Sequence, residues 1–208
     1  MTDIVSIPLI GIRWGIMRAA RAAIVRAVVA DMQEIRAEWR DLSNQVLDNG
    51  ETVDLRGQYD PKTRTIALRT RGSHFEQVFA HEFGHAYLID VVYKTLSRFS
   101  PHQREQLIGP LYNAINASDA IKAVHAFQRT GSITQARATY LLDKEELFCR
   151  AFAQYVAQVS RSGPMLDSVK YLSENVSARA PEQWTDQDFE PIAIEMKKLF
   201  RQLGTLSR

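Results

Sequence analysis

The sequence predicts an α+β fold, mainly helical, in which a small antiparallel β-hairpin packs on one buried helix and an N-terminal helical extension precedes the domain. Three observations carry that expectation. Apolar residues alternate on either side of an Asp-Pro turn between positions 53 and 70, a strongly apolar helical pattern begins near Ser73, and almost everything downstream recurs at three- and four-residue steps. A chain of 208 residues can bury one sizeable core and is short for two, so residues 1–50 are expected to form the extension and residues 51–208 the domain.

Composition narrows the class. Hydrophobic content of 45% and charged content of 24% exclude a disordered or fibrous protein. The net charge of +2 is small, and its excess is local: Arg13, Arg18, Arg21 and Arg26 face a single acid, Asp3, within the first thirty residues. Any nucleic-acid binding would rest on that arm. Cys149 is the single cysteine, which excludes an intrachain disulfide framework and a cysteine-rich zinc knuckle. No apolar stretch reaches the roughly 18–20 residues that span a bilayer. Met1 to Ile12 carries an acid at position 3 and has Pro8 and Gly11 within it, unlike a secretory signal. A cytoplasmic protein, or one exported without a classical signal peptide, is expected.

Trp14, Met17, Ile24, Val28, Met32, Ile35 and Trp39 fall at helical steps, predicting one or two helices from Ile12 to Leu47 that stop at Asn49-Gly50. The arginines there suit a basic amphipathic helix, but Asp31, Glu34, Glu38 and Asp41 balance them later, and an apolar stripe packed on a core or a partner is the ordinary meaning of such a pattern. Next, Val53, Leu55 and Tyr59 lead into Asp60-Pro61-Lys62-Thr63, then Ile66 and Leu68 share one face; a hairpin over 53–70 follows. Ser73 and Glu76 have capping-box spacing at the head of the central helix, whose apolar surface is Phe75, Val78, Phe79, Phe83, Ala86 and Tyr87.

Residues 97–132 read as short helices in a peripheral or mobile lobe: Ser100-Pro101 starts one, Gly109-Pro110 breaks it, Ser118-Asp119 caps another, and Thr130-Gly131-Ser132 ends the region. Asp143 to Val159 is a second strong helix with a bulky stripe of Phe148, Phe152, Tyr155 and Val159. Its other face, Glu146, Cys149, Ala153 and Ala157, is small apart from the carboxylate, and Gly84 on the central helix is a matching gap. The tail carries two more helical patterns, the last headed by Thr185, Asp186 and Asp188.

The chemistry lies in His81-Glu82-Phe83-Gly84-His85. On a helix, histidines four residues apart stand one above the other and can ligate one metal ion, and the glutamate between them is placed to act as a base. A catalytic zinc takes three protein ligands and keeps a fourth position for water. Glu146 is the expected third ligand, since the small residues beside it let its helix approach. Aspartates and the softer Cys149 are alternatives, and a solvated Glu145-Glu146 pair at a helix start is the plain structural reading. One Zn²⁺ per chain, Glu82 as general base, and peptide-bond hydrolysis of a protein or peptide substrate follow. The oxyanion of a tetrahedral intermediate needs a further donor, for which Tyr140, Tyr155, Arg150 and His125 are candidates. His102 is expected at the surface. A free strand edge in the hairpin would hold an extended peptide by main-chain hydrogen bonds.

These residues resemble a zincin metallopeptidase of the minimal gluzincin type. The segment Glu146-Leu147-Phe148-Cys149-Arg150-Ala151-Phe152 with Tyr155, and the later Trp184-Thr185-Asp186-Gln187-Asp188-Phe189, are similar to zincin-like domains of large polyvalent proteins from phages and conjugative elements. The resemblance covers about residues 53–203. It implies a minimal zincin fold, His81, His85 and Glu146 as zinc ligands, Glu82 as the acid/base, and a host or partner protein as substrate. Cys149 stands where that pattern has alanine, and Arg150 stands where some larger gluzincins place a carboxylate that orients a ligand histidine. The alternative function is a non-catalytic, zinc-containing effector or mobile-element module that binds nucleic acid, membrane or a protein partner through the basic N-terminal helix. Oligomeric state, cleavage specificity and a zymogen form have no signature in the sequence.

Overall fold

A computed structural model describes residues 35–40, 42, 45–46, 52–53, 55–70, 73–174 and 180–206. Strands β1 (Arg36–Arg40), β4 (Gly57–Asp60) and β5 (Thr65–Arg69) form a mixed sheet in the order β1-β5-β4. Between β1 and β4, β2 (Gln45–Val46) and β3 (Thr52–Val53) pair as a separate antiparallel ribbon. Among the described residues seven α-helices of eight residues or more follow: α1 (Phe75–Tyr87), α2 (Pro101–Ala117), α3 (Asp119–Arg129), α4 (Gln135–Leu142), α5 (Lys144–Ser160), α6 (Gly163–Ser173) and α7 (Asp186–Leu206). The mainly helical α+β class is as the sequence predicts. Among the described residues no helix is long and apolar enough to cross a membrane.

The helix expected from Ile12 to Leu47 does not hold over its last part. Arg36–Arg40 is a strand, paired in parallel with Thr65–Arg69 from Arg36 opposite Thr65 to Arg40 opposite Arg69. A four-residue step between Ile35 and Trp39 is one helical turn and also two strand repeats, so a short segment fits both periods and the sheet decides. Ile35 and Ala37 are buried in the main core and Trp39 meets the Phe75 ring edge-on at 5.1 Å. Residues assigned to the extension therefore belong to the core sheet. Residues 12–34 and the Asn49-Gly50 stop lie outside the described residues.

The hairpin forms over β4 and β5, with Tyr59 opposite Ile66. Val53 instead belongs to the ribbon with β2. The Asp60 carboxylate accepts from the Lys62 backbone N–H at 2.9 Å and the Thr63 hydroxyl at 2.8 Å, and Arg64 closes the turn at φ 54°. Arg64 then pairs with Asp90 at 2.5 Å. Asp90 stands in a π-helical turn, Leu88–Tyr93, that continues α1, so the widened turn ties the hairpin tip to the far end of the central helix.

Two local expectations are overturned. Ser73 and Glu76 form no capping box: α1 begins after His74, which is left-handed (φ 63°) and provides no side-chain cap, and the Glu76 carboxylate accepts from the Ser162 hydroxyl at 2.8 Å instead. Gly109-Pro110 does not break its helix, because α2 runs on to Ala117 with Leu111 and Ile115 buried on the far side of that pair. Packing of those residues outweighs the one backbone hydrogen bond that proline removes. Ser100 does form a capping box with Gln103, Ser118 caps α3, and Gly131 (φ 70°) follows the α3 terminus. The 97–132 region is not loosely attached: Leu111, Ile115 and Ile121 join the main core, and Asp188 on α7 accepts from the backbone N–H groups of Asp119 and Ala120 at 2.8 and 2.9 Å.

The core runs through the middle of α1 and α5. The Phe152 ring lies 6.1 Å from Phe83, 5.5 Å from Tyr87 and 5.9 Å from Phe200, bringing α1, α5 and α7 together. α1 is enclosed between this helical layer and the β4–β5 hairpin, and that sandwich sets the position of the residues on its remaining face.

Candidate active site

α1 and α5 pack closely because Gly84 lacks a side chain. A Cβ at position 84 would lie 3.1 Å from Cys149 Cα and 3.4 Å from its Sγ, so only glycine allows the α5 backbone this near. The approach matches the small-residue face read from the sequence, and it brings the first turn of α5 against the histidines. Gly84→Val is expected to cost about 1–3 kcal/mol through overpacking against the α5 backbone, measured as a fall in the urea midpoint without a change in slope.

Asp143 caps α5 by accepting from the backbone N–H groups of Glu145 and Glu146, at 2.9 and 3.2 Å. The next turn directs the two glutamates apart. Glu146 Oε1 lies 3.3 Å from His85 Nε2, and its Oε2 lies 3.2 Å from His81 Nε2. Glu145 is exposed, and its Oε1 accepts from the Tyr93 hydroxyl at 3.1 Å. The two imidazole planes are nearly perpendicular, 77° with centroids 5.1 Å apart, so each presents one nitrogen to the same carboxylate.

The donor atoms of His81, His85 and Glu146 all lie within 4.8 Å of one another, and the three could hold one metal ion. Two observations make the fit specific. The set is two imidazole nitrogens and one carboxylate, as a borderline-soft dication prefers. In addition, Glu146 Oε2 is buried and has no hydrogen-bond partner among the described residues, though it lies 3.2 Å from His81 Nε2. Burial opposes ionisation of Glu146, but the adjacent His81 and His85 imidazoles together hold its carboxyl well below the usual range. The same contact raises His85 against the effect of its burial.

Glu82 points to the other side of α1, toward β4, and is only 8% exposed. Burial raises its carboxyl, and His81 and His85 oppose that rise. The Tyr59 backbone opposes it too, to a smaller extent. Gly57 makes the contact close: a Cβ there would stand 2.9 Å from Glu82 Cγ and 3.1 Å from Oε1. β4 is the outer strand of its sheet, and among the described residues it pairs with β5 alone. Among the described residues, the hairpin edge that the sequence left undecided is therefore unpaired beside Glu82. Neither Gly57 nor Tyr59 has a sequence signal, because both act through the backbone.

The four donor candidates separate. Tyr140, near the C-terminal end of α4, faces Glu146: burial first, then the Glu146 carboxylate as charge and as hydrogen-bond acceptor, raise its hydroxyl far above the ordinary value. The residue is nevertheless 41% exposed, so it borders solvent as well as the ligand cluster. Tyr155 lies nine residues along α5 from Glu146, about 13 Å of helix rise, and packs on Phe200 at 5.3 Å as a core residue. Arg150 is 5% exposed and its guanidinium donates to the carbonyls of Leu141 and Glu182, away from solvent. His125 is exposed on α3, whose buried Val124 packs toward Leu141, and among the described residues no interaction ties it to the cluster. Cys149 is fully buried beneath Gly84 and burial pushes its thiol well up, which fits packing and not ligation. His102 is exposed, as expected.

Comparison of the chain with protein-family models, with curated proteins and with solved structures finds no match.

Proposed function

We propose that this chain is a zinc-dependent metallopeptidase of the minimal gluzincin type, with His81, His85 and Glu146 as ligands and Glu82 as general base. The observation that carries the proposal is the convergence of three donor residues from α1 and α5 within 4.8 Å, with a further, buried glutamate, Glu82, on the same helix packed against Gly57. A metal kept only for folding needs no base. The triad is also partly open to solvent, with about a sixth of each side chain exposed (16–19%), so an ion and a substrate can reach it.

His81, His85 and Glu146 would hold the zinc, which would supply Lewis-acid polarisation of a carbonyl and a lowered pKa for water. Glu82 then takes the proton of the attacking water and passes it to the leaving nitrogen; its raised carboxyl suits both halves of that transfer. The close packing against Gly57 holds the carboxylate in place while it does so. Tyr140 is a neutral donor facing Glu146, and its hydroxyl supplies the hydrogen bond that a tetrahedral oxyanion requires. The free edge of β4 is suited to an extended peptide, which would gain main-chain hydrogen bonds with little demand on its side chains.

The test is digestion of a mixed peptide library by the zinc-loaded chain, read by mass spectrometry. Cleavage is expected, with loss on chelation and recovery on adding zinc back. A chain that binds zinc and cleaves no peptide would overturn the peptidase reading.

A further inference from the structure

We propose that Arg150 is a positioning residue that fixes the Tyr140 hydroxyl against Glu146, an inference resting on the metallopeptidase reading. Arg150 stands one turn after Glu146 on α5, yet it turns inward: its Nη2 donates to the Leu141 carbonyl and its Nη1 to the Glu182 carbonyl at 3.1 Å. Leu141 directly follows Tyr140 and belongs to the last turn of α4, where helix carbonyls have no intrahelical partner. A guanidinium capping that end holds the backbone from which Tyr140 projects.

The need for such an anchor is visible in α4 itself. The helix has eight residues and buries only Ala138 and Leu141, and so short a helix has little stability of its own. Arg150 is gripped in turn. Its guanidinium lies 5.5 Å over the Trp184 ring. Trp184 exchanges two hydrogen bonds with the Gln154 side chain, at 2.8 and 3.1 Å, and its Nε1 donates to Ser118 Oγ at 2.9 Å. Across the same junction Arg137 pairs with Glu182 at 2.5 Å and lies 5.2 Å over the Tyr140 ring. Tyr140 is thus held through its backbone by Arg150 and over its ring by Arg137, and Glu146 and Arg150 share one rigid helix. Two bonds to two carbonyls require a planar fork, which lysine lacks.

The experiment places 3-fluorotyrosine at position 140 and follows its ¹⁹F resonance in the zinc-loaded full chain, alongside kcat and KM on the best library peptide for wild type, R150M, R150K, Y140F and R150M/Y140F. R150M is expected to keep zinc within twofold, to move the fluorine line toward that of free fluorotyrosine, and to lower kcat about 10²-fold with KM little changed. The double variant should be no slower than Y140F, and R150K should lie between R150M and wild type in both readouts. An unmoved fluorine line in R150M, or a double variant slowed by the product of the two single effects, would overturn the proposal. Should R150M fail to fold, R150K decides it, since one ammonium cannot replace both donors and an unmoved line there overturns it equally. If wild type cleaves no peptide, the peptidase reading fails, and the fluorine line alone still upholds or overturns the anchoring of Tyr140.

Discussion

Glu82→Gln is expected to bind zinc at full stoichiometry and to turn over peptide about 10²- to 10⁴-fold more slowly, the usual contribution of a general base. Glutamine has the same shape, so the packing under Gly57 survives the change. What it loses is the ability to take a proton. Glu82 lies on the β4 side of α1 and the ligands on another, which separates its effect from metal binding. Zinc content by elemental analysis and kcat on the same sample check this, and a variant retaining more than about a tenth of wild-type turnover would remove Glu82 from the base role.

Glu146→Ala is expected to lose zinc. Removing an outer partner of a ligand typically costs about 10–100-fold in affinity, and removing a ligand itself should exceed that range. Alanine would also leave two imidazoles 5.1 Å apart without the carboxylate that each contacts. The control is its neighbour. Glu145→Ala removes an exposed carboxylate bonded to Tyr93 and should leave zinc affinity within about twofold of wild type, since a surface interaction of that kind is worth little. Competition titration with a chromophoric chelator measures all three proteins on one scale. Equal affinity for Glu146→Ala and wild type would exclude Glu146 as the third ligand.

Much of this site was legible in the sequence because it is written in side-chain spacing. Histidines four apart put two imidazoles on one face of α1, and Glu146 among small residues opposite Gly84 marked where a second helix could approach. The parts that were not legible depend on backbone and on distant pairing. Ile35 and Trp39 satisfy helix and strand periods alike, and only the partnership with β5 decides between them. Ser73 and Glu76 have the right spacing for a cap, but Ser162, far along the chain, takes the Glu76 carboxylate. Arg150 has the composition of an oxyanion donor and the position of an anchor, since its chemistry follows from where Leu141 and Glu182 end up. Choosing Tyr140 over Tyr155 likewise needed α4 folded back on α5, which no local pattern encodes.

Whether one zinc ion is held by two histidines and a glutamate is read from zinc-edge X-ray absorption of the purified, zinc-loaded chain. A first shell of nitrogen and oxygen alone is expected, at about 2.0–2.2 Å, with imidazole scattering from two histidines that disappears in His81→Ala/His85→Ala. A sulfur shell at about 2.3 Å, which would bring Cys149 into the ligand set, or a chain that retains no zinc, would contradict it.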